Sequence, residues 1–208
     1  MFQLAEVPFS YDVEVNLDRN NITKVDFEDI EDNSRGQGRI KFSLRDNPID
    51  CNCDNYDLFR FLKNEIHQNT SENFIIDSDD VVCQAPKKAK GSKLVKLRPD
   101  DITCGIKNTS ACPLSCSCSW RPFDTSVVVN CSQRHLTEFP AINHKELMSL
   151  FTFNQTEVHL QGNALEAGPS ENVTGYDNIT RLFLSNNNIK KMEWLPPNLK
   201  VLEQLLPF

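Results

Sequence analysis

The sequence predicts a solenoid of short parallel strands, divided in mid-chain by two disulfide-bonded end modules. Three observations carry that prediction. A pattern of two alternating apolar residues, an asparagine three positions on, and a further apolar residue recurs four times. All eight cysteines lie between Cys51 and Cys131, in two groups of four. Asparagines that open an Asn-x-Ser/Thr sequence are scattered along the whole chain. A mean hydropathy of −0.45 and 39% hydrophobic residues in 208 suit an elongated, surface-rich protein better than a globular enzyme.

The four copies are Val15-x-Leu17-x-x-Asn20-x-Ile22, Phe42-x-Leu44-x-x-Asn47-x-Ile49, Val158-x-Leu160-x-x-Asn163-x-Leu165 and Leu182-x-Leu184-x-x-Asn187-x-Ile189. Spacings of 27 and 24 residues within the two pairs fit the leucine-rich repeat. Alternating apolar residues make a strand with both side chains facing inward. The asparagine ends the strand and bonds backbone where the chain turns. Each coil buries its leucines only by stacking on another, so the pattern works only as an array. Leu199 and Leu202 begin a further coil, but Gln204 occupies an apolar position, so the array is expected to be a piece of a longer one. The fold class is therefore a leucine-rich-repeat solenoid of α/β-type repeats with short parallel strands, in two truncated blocks joined by cysteine-rich modules.

Cys51, Cys53, Cys83 and Cys104 form the first group, and Cys112, Cys116, Cys118 and Cys131 the second. An even, clustered count reads as disulfides in an oxidising compartment. Zinc is disfavoured, because the close pairs are Cys-x-Cys and cannot easily present both sulfurs tetrahedrally. Pairing within each group leaves nine connectivities open. Sequons at Asn21, Asn69, Asn108, Asn154, Asn172 and Asn178 are glycosylation candidates in a secreted chain. Asn130 is set aside, since Cys131 sits in the middle of its sequon.

A net charge of −7 argues against nucleic acid as partner. No run of about 18 apolar residues spans a membrane, and the N-terminus lacks a signal-peptide pattern, so membrane attachment and export are expected from segments outside this sequence. His67, His135, His144 and His159 form no metal-binding pair, and no nucleophile motif or phosphate loop is present, so no catalytic residue, metal or cofactor is expected. The acidic runs Asp26 to Asp32 and Asp77 to Asp80 lack calcium-loop order and read as solvated loops. One basic segment stands out: Lys87, Lys88, Lys90, Lys93, Lys96 and Arg98. It reads first as a solvated loop and, more sharply, as an anionic contact for a heparan-type glycan, a partner receptor or an acidic ligand. Trp120 and Phe123 read as packing residues.

From Asn47 the chain runs through Pro48 into Cys51 and Cys53. A helix follows with Leu58, Phe59, Phe61, Leu62 and Ile66 on its apolar side and Asp54 as its N-cap. This N-P-x-x-C-x-C…C…C order resembles a leucine-rich-repeat C-terminal cap, which implies Cys51–Cys83 and Cys53–Cys104. The segment CPLSCSCSWRPFDTSVVVNC, with a hairpin whose second strand holds Val127 to Val129, resembles an N-terminal cap. That resemblance implies Cys112–Cys118 and Cys116–Cys131. The expected organisation is 1–47 repeats, 48–104 C-terminal cap, 105–111 linker, 112–140 N-terminal cap and 141–208 repeats of a second block. A C-terminal cap abutting an N-terminal cap resembles the ectodomain of insect Toll receptors, in their membrane-proximal part. The resemblance implies the extracellular side of the plasma membrane, or secretion of such a fragment on its own. It also implies innate immune or developmental signalling, a Spätzle-like cystine-knot cytokine bound mainly elsewhere, and receptor homodimerisation. This region would then serve spacing or receptor–receptor contact. Secreted guidance or adhesion proteins of the Slit type share the cap order and form the alternative.

Overall fold

The computed structural model describes residues 2–3, 11–26, 38–66, 74–107 and 110–203. The chain divides into two compact units, Met1–Ile102 and Thr103–Phe208. Each has its own hydrophobic core.

In the first unit, strands β1 (Phe2–Gln3) and β3 (Val25–Asp26) pair in parallel. Strands β2 (Val13–Asn16), β4 (Ile40–Ser43) and β6 (Phe74–Ile76) form a parallel sheet in that order, and β5 (Ile49–Asp50) pairs with β7 (Cys83–Ala85). These strand pairings are parallel because successive coils run the same way. Ile40 and Phe42 point into the core while Lys41, between them, points out. The repeat asparagine does the turning. Asn47 is 4% exposed, donates from Nδ2 to the carbonyls of Leu17 and Leu44 at 2.9 and 3.0 Å, and accepts the Ile22 amide at Oδ1. One side chain thereby satisfies backbone groups of two coils, which would be costly to bury unpaired.

Helix α1 (Tyr56–Leu62) closes this unit, burying Leu58, Phe59 and Phe61. Full burial stabilises each of these side chains by roughly 2 kcal/mol. Asp54 is not the cap expected from the sequence. The side chain of Asn52 instead accepts the Asp54 amide and starts the 3₁₀ turn Cys53–Asn55 that leads into α1. Asn55, 1% exposed, donates to the carbonyls of Thr23 and Asp50 and accepts the Val25 amide, repeating the role of Asn47 without the repeat motif. Ile66 lies past the helix end and packs at the edge of the core.

In the second unit a six-stranded sheet runs β13-β12-β11-β10-β9-β8. Its members are β8 (Cys104–Ile106), β9 (Ser117–Arg121), β10 (Ser126–Asn130), β11 (Gln155–His159), β12 (Arg181–Phe183) and β13 (Val201–Glu203). Strands β10 to β13 are parallel, and β9 and β8 run antiparallel at one end. Residues 105–111, read from the sequence as linker, therefore begin in a strand: Gly105 and Ile106 pair with Ser119 and Cys118. The change of unit falls before Cys104. Helix α2 (His144–Leu150), unforeseen, starts at Asn143, whose side chain accepts the Glu146 amide. Gly175 is obligatory here, with φ +88° and a Cβ position only 2.2 Å from the Ile142 carbonyl oxygen.

Candidate functional site

Three of the disulfides close within their groups: Cys51–Cys83, Cys112–Cys118 and Cys116–Cys131. Cys53 and Cys104 are also disulfide-bonded, and no cysteine is free among the described residues. The module at each cap is thus held covalently, and no thiolate is left for catalysis or metal binding at these positions.

The sheet face opposite the core of the second unit carries a dense charge network. Register places Val128, Glu157 and Arg181 side by side on β10, β11 and β12. Arg121, from the end of β9, bonds Asp124 at 2.8 Å and Glu157 at 2.7 Å; Arg181 bonds the same two carboxylates at 3.1 and 3.2 Å. His159 Nε2 lies 2.6 Å from Glu157, and its ring stacks on Phe183 with centroids 4.5 Å apart. Burial alone would raise the Glu157 carboxyl, but hydrogen bonds from His159 and Arg121 and the Arg121 charge hold it at about 2. For Asp124, burial likewise pushes upward and is outweighed by Arg121 and Ser126, leaving it below the ordinary range. Burial disfavours the Arg121 cation, yet its two carboxylate partners hold its pKa above the usual value. Two arginines and two carboxylates balance in charge, giving a rigid polar platform with an aromatic edge.

The corresponding face of the first unit is also charged. Glu14 pairs with Lys41 at 3.1 Å and Arg45 with Asp80 at 2.7 Å, while Asp18 accepts hydrogen bonds from Ser43 and the Arg45 amide. The acidic run at 77–80 is thus more than solvated loop: Asp80 is buried against Arg45, Asp79 binds Lys93 and Asp77 caps the turn. The run Asp26 to Asp32 lies outside the described residues apart from Asp26.

Of the six cations singled out in the basic segment, Lys87, Lys88, Lys90, Lys96 and Arg98 are exposed and Lys93 is half-buried. Lys93 binds Asp79 at 2.6 Å and Arg98 binds Asp101 at 3.0 Å. Asn21, Asn154, Asn172 and Asn178 are exposed, whereas Asn69 and Asn108 lie outside the described residues. Asn130 is exposed too, but its amide oxygen accepts the Ser132 amide and hydroxyl in a local turn.

Trp120 packs, stacking on Phe151 at 5.5 Å. Phe123 does not: it is 52% exposed, at the tip of the β9–β10 hairpin, where no core reaches it. His67 lies outside the described residues. His144 is pushed below the ordinary histidine value by burial, despite its bond to the Gly175 backbone. Sequence reasoning missed the Arg121, Asp124, Glu157 and Arg181 cluster. The alternation around Val158 places Glu157 and His159 on the outer face, which was the available signal; their partners lie 24 to 36 residues away.

No protein-family model matches the chain. Protein toll of Drosophila melanogaster is 27% identical over 98% of this chain, which spans 20% of that protein's length. A solved structure of the Drosophila Toll–Spätzle complex matches with a TM-score of 0.72 at 26% identity, over 96% of this chain and 27% of the solved one. A glycosylated form of that complex matches with a TM-score of 0.69 at 26% identity, over 90% and 27%. Among the described residues, no helix is long and apolar enough to cross a membrane. Stacked parallel repeats, two cysteine-rich caps and near-complete alignment in sequence and fold agree: the chain has a leucine-rich-repeat fold and is similar along almost its whole length to part of the Toll ectodomain.

Proposed function

We propose that this chain works as an extracellular part of a Toll-type signalling receptor in immunity or development, and that it is a binding module without catalytic turnover. The observation that supports this best is the likeness to Drosophila Toll along almost the whole chain, cap junction included. The solved Toll is in complex with Spätzle, so a dimeric cystine-knot cytokine of that kind is the proposed ligand of the receptor. Ligand contact in long solenoids uses extended surfaces. With few coils of its own, this region is assigned spacing near the membrane and contact between receptor copies. Cys53–Cys104 is the proposed fourth disulfide, and exposed Asn21, Asn154, Asn172 and Asn178 are the proposed glycan carriers, with Asn69 and Asn108 kept as candidates. The likeness to Toll favours this reading over a Slit-type guidance protein.

A chimeric receptor tests it. The matching region of Drosophila Toll is replaced by this chain, and signalling is measured in cells with and without Spätzle. Ligand-dependent signalling close to that of the parent receptor is expected. A chimera that reaches the cell surface but no longer responds contradicts the proposal.

A further inference from the structure

The basic segment holds a feature that receptor spacing does not require. Residues 82–93 close on themselves: Val82 and Lys93 form an antiparallel bridge, the Cys83 amide donates to Ser92, and the Gly91 amide returns to the Cys83 carbonyl at 2.8 Å. Within the loop, the amides of Ala89, Lys90 and Ser92 donate to Pro86, Lys87 and Ala89 in successive turns. Ala89 is buried, and Cys83 is tied to Cys51. The backbone is thus fixed before any partner arrives, and its tip holds Lys87, Lys88 and Lys90 in water.

The six cations also divide in two. Lys93 and Arg98 are matched by Asp79 and Asp101, and Lys96 lies in the field of Asp79. Lys88 feels Asp101 at longer range, but among the described residues no carboxylate forms an ion pair with Lys87, Lys88 or Lys90. Three unmatched ammonium groups sit within four positions of one closed turn, and charges within about a Debye length, roughly 8 Å at physiological salt, act together on a polyanion. They do so on a protein whose net charge is −7, which would otherwise repel polyanions.

We infer that the 86–91 turn is a docking point for a sulfated polysaccharide of the heparan class. This rests on the extracellular placement proposed above. The residue types select the partner. The tip offers no arginine fork and no aromatic or large apolar side chain, so it lacks the anchors that centre protein interfaces. For the same reason it has nothing to insert into a bilayer. Lysine is a compact point charge, suited to closely spaced sulfates without fixed geometry. Pre-set turn geometry removes the ordering cost a flexible loop would carry on binding.

Heparin chromatography of the disulfide-intact chain tests this. The wild type is expected to be retained at low salt and released as salt rises. Lys87→Glu/Lys88→Glu/Lys90→Glu is expected to flow through, and the milder triple alanine variant to bind soluble heparin about a hundredfold more weakly, at a factor of about five per lysine. A charge-matched control, Lys145→Glu/Lys190→Glu/Lys200→Glu in the second unit, is expected to stay on the column. Four results overturn the inference: no retention of the wild type, equal retention of the triple glutamate variant, equal loss in the control, or binding to phosphatidylserine vesicles as tight as to heparin. Far-ultraviolet circular dichroism checks that each variant is folded. Since retention needs no ligand and no signalling, its failure is distinct from failure of the receptor chimera.

Discussion

Single buried asparagines carry the repeat. Asn163 donates to the Cys131 and Leu160 carbonyls and accepts the Arg134 and Leu136 amides. Asn163→Ala leaves these groups unpaired in a site 9% exposed, and is expected to cost about 3 kcal/mol, read as a lower urea midpoint. Asn20 occupies the same motif position but is exposed and, among the described residues, bonds only its own turn, so Asn20→Ala should cost under about 1 kcal/mol. Equal effects would show that the motif asparagine acts through something other than burial. Glu157 gives a pH signature. Its unfolded-state pKa is near 4.5 and its folded value about 2. Between those values the unfolded chain binds the extra proton, so stability present above about pH 4.5 is lost as pH falls towards 2. The size is on the order of 3 kcal/mol, and Asp124, also held low, adds loss of the same sign. Denaturant titrations across that range should show the slope, and Glu157→Gln should flatten it. The same change should also cost about 3 kcal/mol at neutral pH by leaving Arg121 short of a partner. A wild type equally stable at both ends would remove the network from the stability of this unit.

At the level of elements, the caps depend on short local devices. Asn143 starts α2 through its bond to the Glu146 amide, and Asn52 starts the turn into α1. Asn143→Ala and Asn52→Ala should each cost about 1 kcal/mol in thermal or urea unfolding; no change would mean the helices are held by packing alone. The N-terminal cap hairpin is closed by Cys116–Cys131, 15 residues apart. Replacing both by serine should cost about 3 kcal/mol in the chain-entropy treatment. What the sequence revealed and hid follows from range. Strands β2, β4, β11 and β12 were legible because the motif that makes them is local. Strand β6 was not, since Phe74–Ile76 leads into Asp77 with no repeat asparagine. Strand β8 hid in an assumed linker, because its partner β9 is supplied by the second cysteine group and only the antiparallel pairing reveals it. Asp54 is a residue type that suits an N-cap, but the chain turns two residues earlier, at Asn52. Helix α2 could have been found, because Asn143 followed three places later by Glu146 is a start signal of its own.

Across the whole molecule, the defining feature is that each cysteine group serves its own cap. Cys51–Cys83 lies within Met1–Ile102, and Cys112–Cys118 and Cys116–Cys131 lie within Thr103–Phe208. Reading the chain as two capped solenoid ends, and hence as Toll-type ectodomain, rests on the cysteines respecting those groups. A non-reducing peptide map of the secreted chain, with glycan occupancy read from the same peptides, tests this most directly. The map should return Cys51–Cys83, Cys53–Cys104, Cys112–Cys118 and Cys116–Cys131, with glycan on exposed sequons and none on Asn130. A bond joining any of Cys51, Cys53, Cys83 or Cys104 to one of Cys112, Cys116, Cys118 or Cys131 would contradict it.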